Sequence, residues 1–224
     1  MKLLYLSKII LILYFVNLFL YSISSLVGLE ELENIFWFIR IPILLVLYLV
    51  SSKKRQFLYI MALLLYQSAS VCFKLEIPNA FIYATLSSVL FKFCFLFLIL
   101  DLITKENRFA IGIAFIPFFI LYLYIIEIVV NALGNVYYIW IINALVTSFI
   151  GGVGIICYVN NADKKSYWLL ISGILFIIQI GAFFINKFYI KNEAIYQMVI
   201  LSYAISHFTF YKFIILKEQE KQLN

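Results

Sequence analysis

The sequence predicts an all-α, polytopic membrane bundle of eight transmembrane helices with both termini cytoplasmic, and three observations predict it. Hydrophobic residues make up 66% of the 224 positions and charged ones 12%, against a charged share of about 25% in soluble domains. Mean hydropathy is +1.06, so an aqueous fold would leave exposed apolar patches of a size soluble proteins avoid. The apolar residues also gather into eight runs, most close to the ~20 residues that cross a bilayer. These runs are long and continuous, where a β-barrel would alternate in polarity.

The first run, 3–27, follows Lys2 and has the look of a secretory leader. It is longer than the ~7–15 residues of a leader's apolar region, and no small-x-small site follows it, so it reads as the first span. The others are 34–50, 56–73, 79–104, 108–131, 136–158, 166–188 and 194–216. The connections are short and polar, at 28–33, 51–55, 74–78, 105–107, 132–135, 159–165 and 189–193. Residues 1–216 read as a single transmembrane domain and 217–224 as a short polar tail.

The formal net charge of +6 does not point to nucleic acid, because the cations lie in pairs and triplets between apolar runs. With the N-terminus inside, Lys2, Lys53, Lys54, Arg55, Lys105, Arg108, Lys164, Lys165, Lys217 and Lys221 fall on one side and only Lys74, Lys187 and Lys191 on the other. Cytoplasmic loops carry the excess of Lys and Arg, which fixes the orientation. Lys8 and Lys212 can snorkel to the inner face. Tyr59, Tyr137, Tyr138, Tyr167, Tyr189 and Tyr211 fall near span ends, where amphipathic rings favour the interface. Cys72, Cys94 and Cys157 lie inside apolar runs without CxxC or Cys/His spacing, so they read as structural thiols and no metal site is expected.

Ionisable groups deep in lipid cost about 2.5–3.5 kcal/mol each on insertion scales, so each needs a reason. Lys92 is the deepest, on one helix face with Thr85 and Ser88. His207 follows Tyr203 by one turn in the last span and is a candidate proton carrier or interhelical donor. Arg40 and Glu127 lie at similar depth and are candidates for an ion pair, while solvation near Lys105 suffices for Asp101. Uncharged polar residues recur in stripes: Tyr14, Asn17 and Tyr21; Gln67 and Ser70; Asn143, Thr147 and Gly151; Ser172, Gln179 and Asn186. Interhelical hydrogen bonding accounts for each alone. Together they predict a partly polar interior cavity. Gly151, Gly152 and Gly154 permit close helix approach or a local break.

HExxH, GxSxG and P-loop motifs are absent, as is any carboxylate pair at mid-membrane depth. At the last two spans, Gly173-Ile174-Leu175-Phe176, Asn186-Lys187-Phe188 and Tyr203-Ala204-Ile205-Ser206 resemble the Gly-x-Leu-Phe, Asn-Arg-Phe and Tyr-x-x-Gln elements of the YhhN-like family of lysoplasmalogenases. Span count and loop lengths are also similar. The resemblance implies an eight-span fold and hydrolysis of a vinyl-ether lipid bond. The chain departs from that family at its polar positions: Gln179-Ile180 stands for Ser-Asp, Ala69-Ser70 for Gly-Asp, Lys92 for a histidine, and Ile41-Pro42, beside Arg40, for Lys-Pro.

The expected function is therefore a YhhN-like protein of a membrane, the bacterial inner membrane, with a cavity for an ether-lipid or lysophospholipid-like ligand. Arg40, Gln67, Ser70, Ser88, Lys92, Asn143, Gln179, Tyr203 and His207 are its candidate binding residues. Hydrolysis is expected to be impaired, with His207 and Lys92 as the candidate catalytic groups and no cofactor. The alternatives are a non-catalytic scaffold or subunit that binds membrane proteins and, less favoured because no repeat or broken-helix pair is visible, a small transporter.

Overall fold

In lipid every backbone group must be satisfied internally, and long runs of Leu, Ile, Phe and Val do this by forming helices. The computed structural model describes residues 2–75 and 77–223, with side chains for 5–75 and 77–220. Among these it has nine α-helices: α1 (Lys2–Val27), α2 (Glu30–Ser51), α3 (Phe57–Lys74), α4 (Ala80–Ile99), α5 (Arg108–Ile128), the short α6 (Val130–Leu133), α7 (Tyr137–Asn161), α8 (Lys164–Phe184) and α9 (Glu193–Leu223). Eight are long and apolar enough to cross a membrane, and no strand occurs among the described residues. The chain is a multi-pass integral membrane protein.

Several boundaries differ from expectation for visible reasons. Helix α2 begins at Glu30 because Glu30, Glu31 and Glu33 suit the positive end of its dipole, so the connection from α1 shrinks to Gly28 and Leu29. Gly28 turns there at a φ of +75°, which favours glycine. Residues 132–135 are not a plain loop but the end of α6 and a 3₁₀ turn. Helix α8 ends in a π-helical turn, Ile185–Tyr189. No break occurs at 216: α9 continues, and Lys217 and Glu218 turn into the bundle. Lys217 pairs with Asp101 and also donates to the Leu98 carbonyl. Glu218 accepts from Tyr48 at 2.7 Å and Ser52 at 2.6 Å. Lys2 and Lys221 lie outside the described side chains.

Helices α1 to α4 pack each against the next, as do α7 to α9, while α4 and α5 both pack on α7 and α9 closes the bundle against α1 and α2. The glycine cluster on α7 serves close approach. A Cβ on Gly152 would stand 3.0 Å from the Ile111 carbonyl oxygen of α5, and one on Gly173 would stand 3.0 Å from the Gly151 Cα. Helix α5 thus lies against α7 and α8, away from α2, which is why Glu127 is exposed and forms no pair with Arg40. Tyr59 and Tyr211 do not face outward. Both are buried, Tyr59 stacking on Phe95 and Phe210, while Tyr138, Tyr167 and Tyr189 are exposed as expected.

Candidate functional site

Pro42 has no N–H to give the Phe38 carbonyl one turn back. The side-chain amide of Gln67, from α3, donates to that oxygen at 3.2 Å. A second amide, Asn17 of α1, donates to the Phe36 carbonyl at 3.0 Å. Arg40, between the Phe38 carbonyl and Pro42, is held on the inward face of α2.

There it borders a cavity of about 210 Å³ in the half of the bundle that carries the Gly28 turn, hereafter the Gly28 end. Six spans contribute: Tyr21 of α1, Trp37 and Arg40 of α2, Tyr66, Ser70 and Lys74 of α3, Ser88 and Phe91 of α4, Gln179 and Phe183 of α8, and Tyr196 and Tyr203 of α9. Arg40 is 3% exposed. One terminal nitrogen donates to the Tyr66 hydroxyl at 3.1 Å, and its Nε has no protein partner. The guanidinium carbon lies 5.6 Å from the Tyr21 ring centroid and 6.0 Å from that of Tyr203. Among the described residues no carboxylate pairs with it. Glu33, across the cavity wall, takes the Tyr196 hydroxyl at 2.7 Å, and Tyr196 in turn meets the Tyr21 hydroxyl at 3.3 Å. Lys74, at the mouth, donates to Asn34 and stands 4.2 Å from the Trp37 ring centroid.

Behind the cavity lies a second polar group. Lys92, fully buried, donates to the Asn143 side-chain oxygen at 2.5 Å, and the Asn143 amide donates to Ser88 at 3.0 Å. Thr147 and Tyr122 converge on the same Asn143 oxygen at 3.3 and 3.4 Å. Only Ser88 of this set reaches the cavity wall. His207 is also fully buried, its ring 3.8 Å from that of Tyr66 and enclosed by Phe91, Phe95 and Phe176. Neither of its nitrogens has a protein partner.

The structure therefore brings together Arg40, Ser70, Ser88, Gln179 and Tyr203 around one cavity. It places Lys92, Asn143 and His207 one layer behind it, and Gln67 on the α2–α3 seam, occupied by the Phe38 carbonyl. Sequence reasoning missed Tyr66, Tyr196, Trp37 and Lys74. Tyr66 carried a signal, being one residue before Gln67 and one turn before Ser70 on α3; Tyr196 carried none, since its partners Glu33 and Tyr21 are over 160 residues away. Gln179 accepts from Ser206 at 3.2 Å, which ties α8 to α9 at the cavity wall. Among the described residues no three His, Cys, Asp or Glu side chains gather to hold a metal ion, and no carboxylate lines the cavity.

The arrangement can thus present a buried cation, hydroxyls and aromatic faces to a guest, but no acid–base carboxylate. Set against known protein families, curated proteins and solved structures, the chain matches none of them.

Proposed function

We propose that this membrane protein binds an anionic amphiphile, a lysophospholipid or ether lipid, with Arg40 as the anchor for its head group. The observation that carries this reading is a guanidinium buried in a cavity with no counter-ion among the described residues. Buried charges are ordinarily paired, and an ionisable side chain within a membrane span marks a functional site by default. Arginine suits a phosphate because its fork of donors matches phosphate oxygens. Its one hydrogen bond, to Tyr66, leaves further donors of that fork without a protein partner. At about 210 Å³ the cavity is smaller than the roughly 300–1,000 Å³ of small-molecule sites, so it suits a head group while the chain extends beyond it.

The proposal includes kinship with YhhN-like proteins but not their chemistry. General acid–base catalysis contributes about 10²–10⁴-fold, and among the described residues the cavity wall has no carboxylate to supply it. Binding without hydrolysis is the result expected from purified protein given lysoplasmalogen. Lipid should bind, Arg40→Gln should weaken binding at least about tenfold, the loss of one or more charge-assisted hydrogen bonds, and no aldehyde should appear. Unchanged affinity in Arg40→Gln overturns the anchor. Aldehyde release abolished by His207→Ala or Lys92→Ala would show that those two groups have replaced the missing carboxylates.

A further inference from the structure

Beside the Arg40 cavity lies a second, wider space of about 730 Å³, lined by Phe183, Asn186, Lys187, Lys191, Asn192, Glu193, Tyr196 and Val199. Phe183, Tyr196 and Val199 also wall the Arg40 cavity, so the two are neighbours across three side chains. The outer space is held open by the π-helical turn Ile185–Tyr189 and the bend after it, where the Asn186 side chain accepts from the Asn192 backbone at 3.1 Å. Isolated π turns recur at functional sites in helices.

The distribution of charge around these spaces is uneven. The Gly28 end of the bundle carries three lysines, Lys74, Lys187 and Lys191, and every one lines one cavity or the other. Lys187 has no ion-pair partner among the described residues. Its ammonium lies instead over the rings of Phe81 (5.2 Å), Phe183 (5.6 Å), Phe73 (5.7 Å) and Phe188 (6.0 Å). Phe73 and Phe183 belong to the wall of the Arg40 cavity. Cation–π contacts of this kind are weak enough to be exchanged for an anion. Glu193, which lines the outer space, accepts from Ser25 and Gln197, and Glu33 accepts from Tyr196.

At the opposite end a space of about 710 Å³, bordered by Asp101, Glu106, Asn107 and Cys157, shares no lining residue with the Arg40 cavity. Glu218 is locked to Tyr48 and Ser52, Lys217 to Asp101 and the Leu98 carbonyl, and Lys165 to Glu220. Between those bonds and the cavity stand the stacked rings of Tyr59, Phe95 and Phe210, with Phe91 forming the cavity's own wall.

We propose that this outer space is a vestibule through which an anionic head group reaches Arg40, with Lys187 and Lys191 as its first contacts. The inference rests on the Arg40 reading above and adds the direction and the order of contact. A head group would meet Lys187 and Lys191 before it passes Tyr196, whose hydroxyl must part from Tyr21 or swing with Glu33 to let it through. Charges at the rim of a site govern the association rate and its salt dependence, whereas the buried anchor governs dissociation.

The test uses the full chain in nanodiscs and stopped-flow tryptophan fluorescence, in which Trp37 on the cavity wall reports occupancy. The probes are palmitoyl-lysophosphatidylglycerol and palmitoyl-lysophosphatidylcholine. For the anionic probe, Lys187→Gln with Lys191→Gln should lower the association rate about 3–10-fold and flatten its dependence on salt, with dissociation little changed. Arg40→Gln should do the reverse and speed dissociation. The matched change at the far end, Lys53→Gln with Lys54→Gln, should leave both rates alone. An unaltered association rate and salt slope in the vestibule variant, or a drop in the Lys53/Lys54 variant instead, overturns the route while leaving the Arg40 site standing. No signal from either probe with the unaltered protein overturns both.

Discussion

The Gln67 side-chain amide donates to the Phe38 carbonyl at 3.2 Å, the oxygen that Pro42 leaves without its helical donor. One residue thus repairs, from a neighbouring helix, a defect that another creates. Arg40 stands between the proline and the carbonyl, so the repair holds the cavity's cation in place.

That relationship predicts a coupled pair. Gln67→Leu should lower stability by about 0.6–1.7 kcal/mol, the range of interhelical hydrogen bonds in membranes. In a Pro42→Ala background, where the helix supplies its own donor, the same change should cost less. Reversible unfolding in mixed micelles measures all four chains of the cycle, and equal costs in both backgrounds would disprove the repair.

Lys92 and Asn143 predict a second cycle. Asn143→Leu removes the acceptor of a fully buried amine and the donor to Ser88. A buried polar group left unmade costs about 1–3 kcal/mol, so Asn143→Leu should be the more damaging single change. Adding Lys92→Met should recover most of the loss, because replacing both partners by apolar groups is nearly neutral. A double variant less stable than either single one would sink this account.

His207 predicts a gain. Both ring nitrogens are buried without a protein partner, and Tyr66, Phe91, Phe95 and Phe176 surround them. His207→Phe fits the same aromatic box and removes two stranded polar atoms, so thermal stability should hold or rise by about 1 kcal/mol or more. A clear fall would mean that the imidazole bonds something its surroundings do not supply.

Orientation is open to direct test. The Lys and Arg excess at the Lys53 end predicts a cytoplasmic position for that end. Cysteines introduced at Lys53 and Lys105 should be shielded from an impermeant reagent in intact cells, and one at Glu31 should react. The opposite pattern would invert the bundle and, with it, the side on which the vestibule opens.

Eight spans were legible because lipid imposes one requirement, continuous apolar length, on every segment that crosses it. The stripe of Tyr14, Asn17 and Tyr21 was legible too, since a helix's period places them on one face, and all three are buried. What periodicity could not supply was the partner. Gln67 shares a helix face with cavity residues yet is occupied by a carbonyl that only the placement of Pro42 frees. Arg40 and Glu127 match in depth, but which helices are neighbours decides pairing, and α5 lies elsewhere. Lys217 and Glu218 read as tail because a charged run after the last apolar residue resembles solvent-facing chain. Asp101, Tyr48 and Ser52, more than 100 positions earlier, are what draw them inward.

Helix α5 gives the interior only Ile111, Tyr122 and Ile126 and presents Ile113, Ile116, Ile120, Leu121 and Tyr124 outward. Acyl chains are indifferent to which apolar side chain they meet. Those outward positions can therefore drift among Leu, Ile, Val and Phe at almost no cost, whereas Gly152, whose added methyl would strike the α5 backbone, has no such freedom. The information that specifies this fold is spread unevenly along the chain, thin in α5 and dense in α7 to α9.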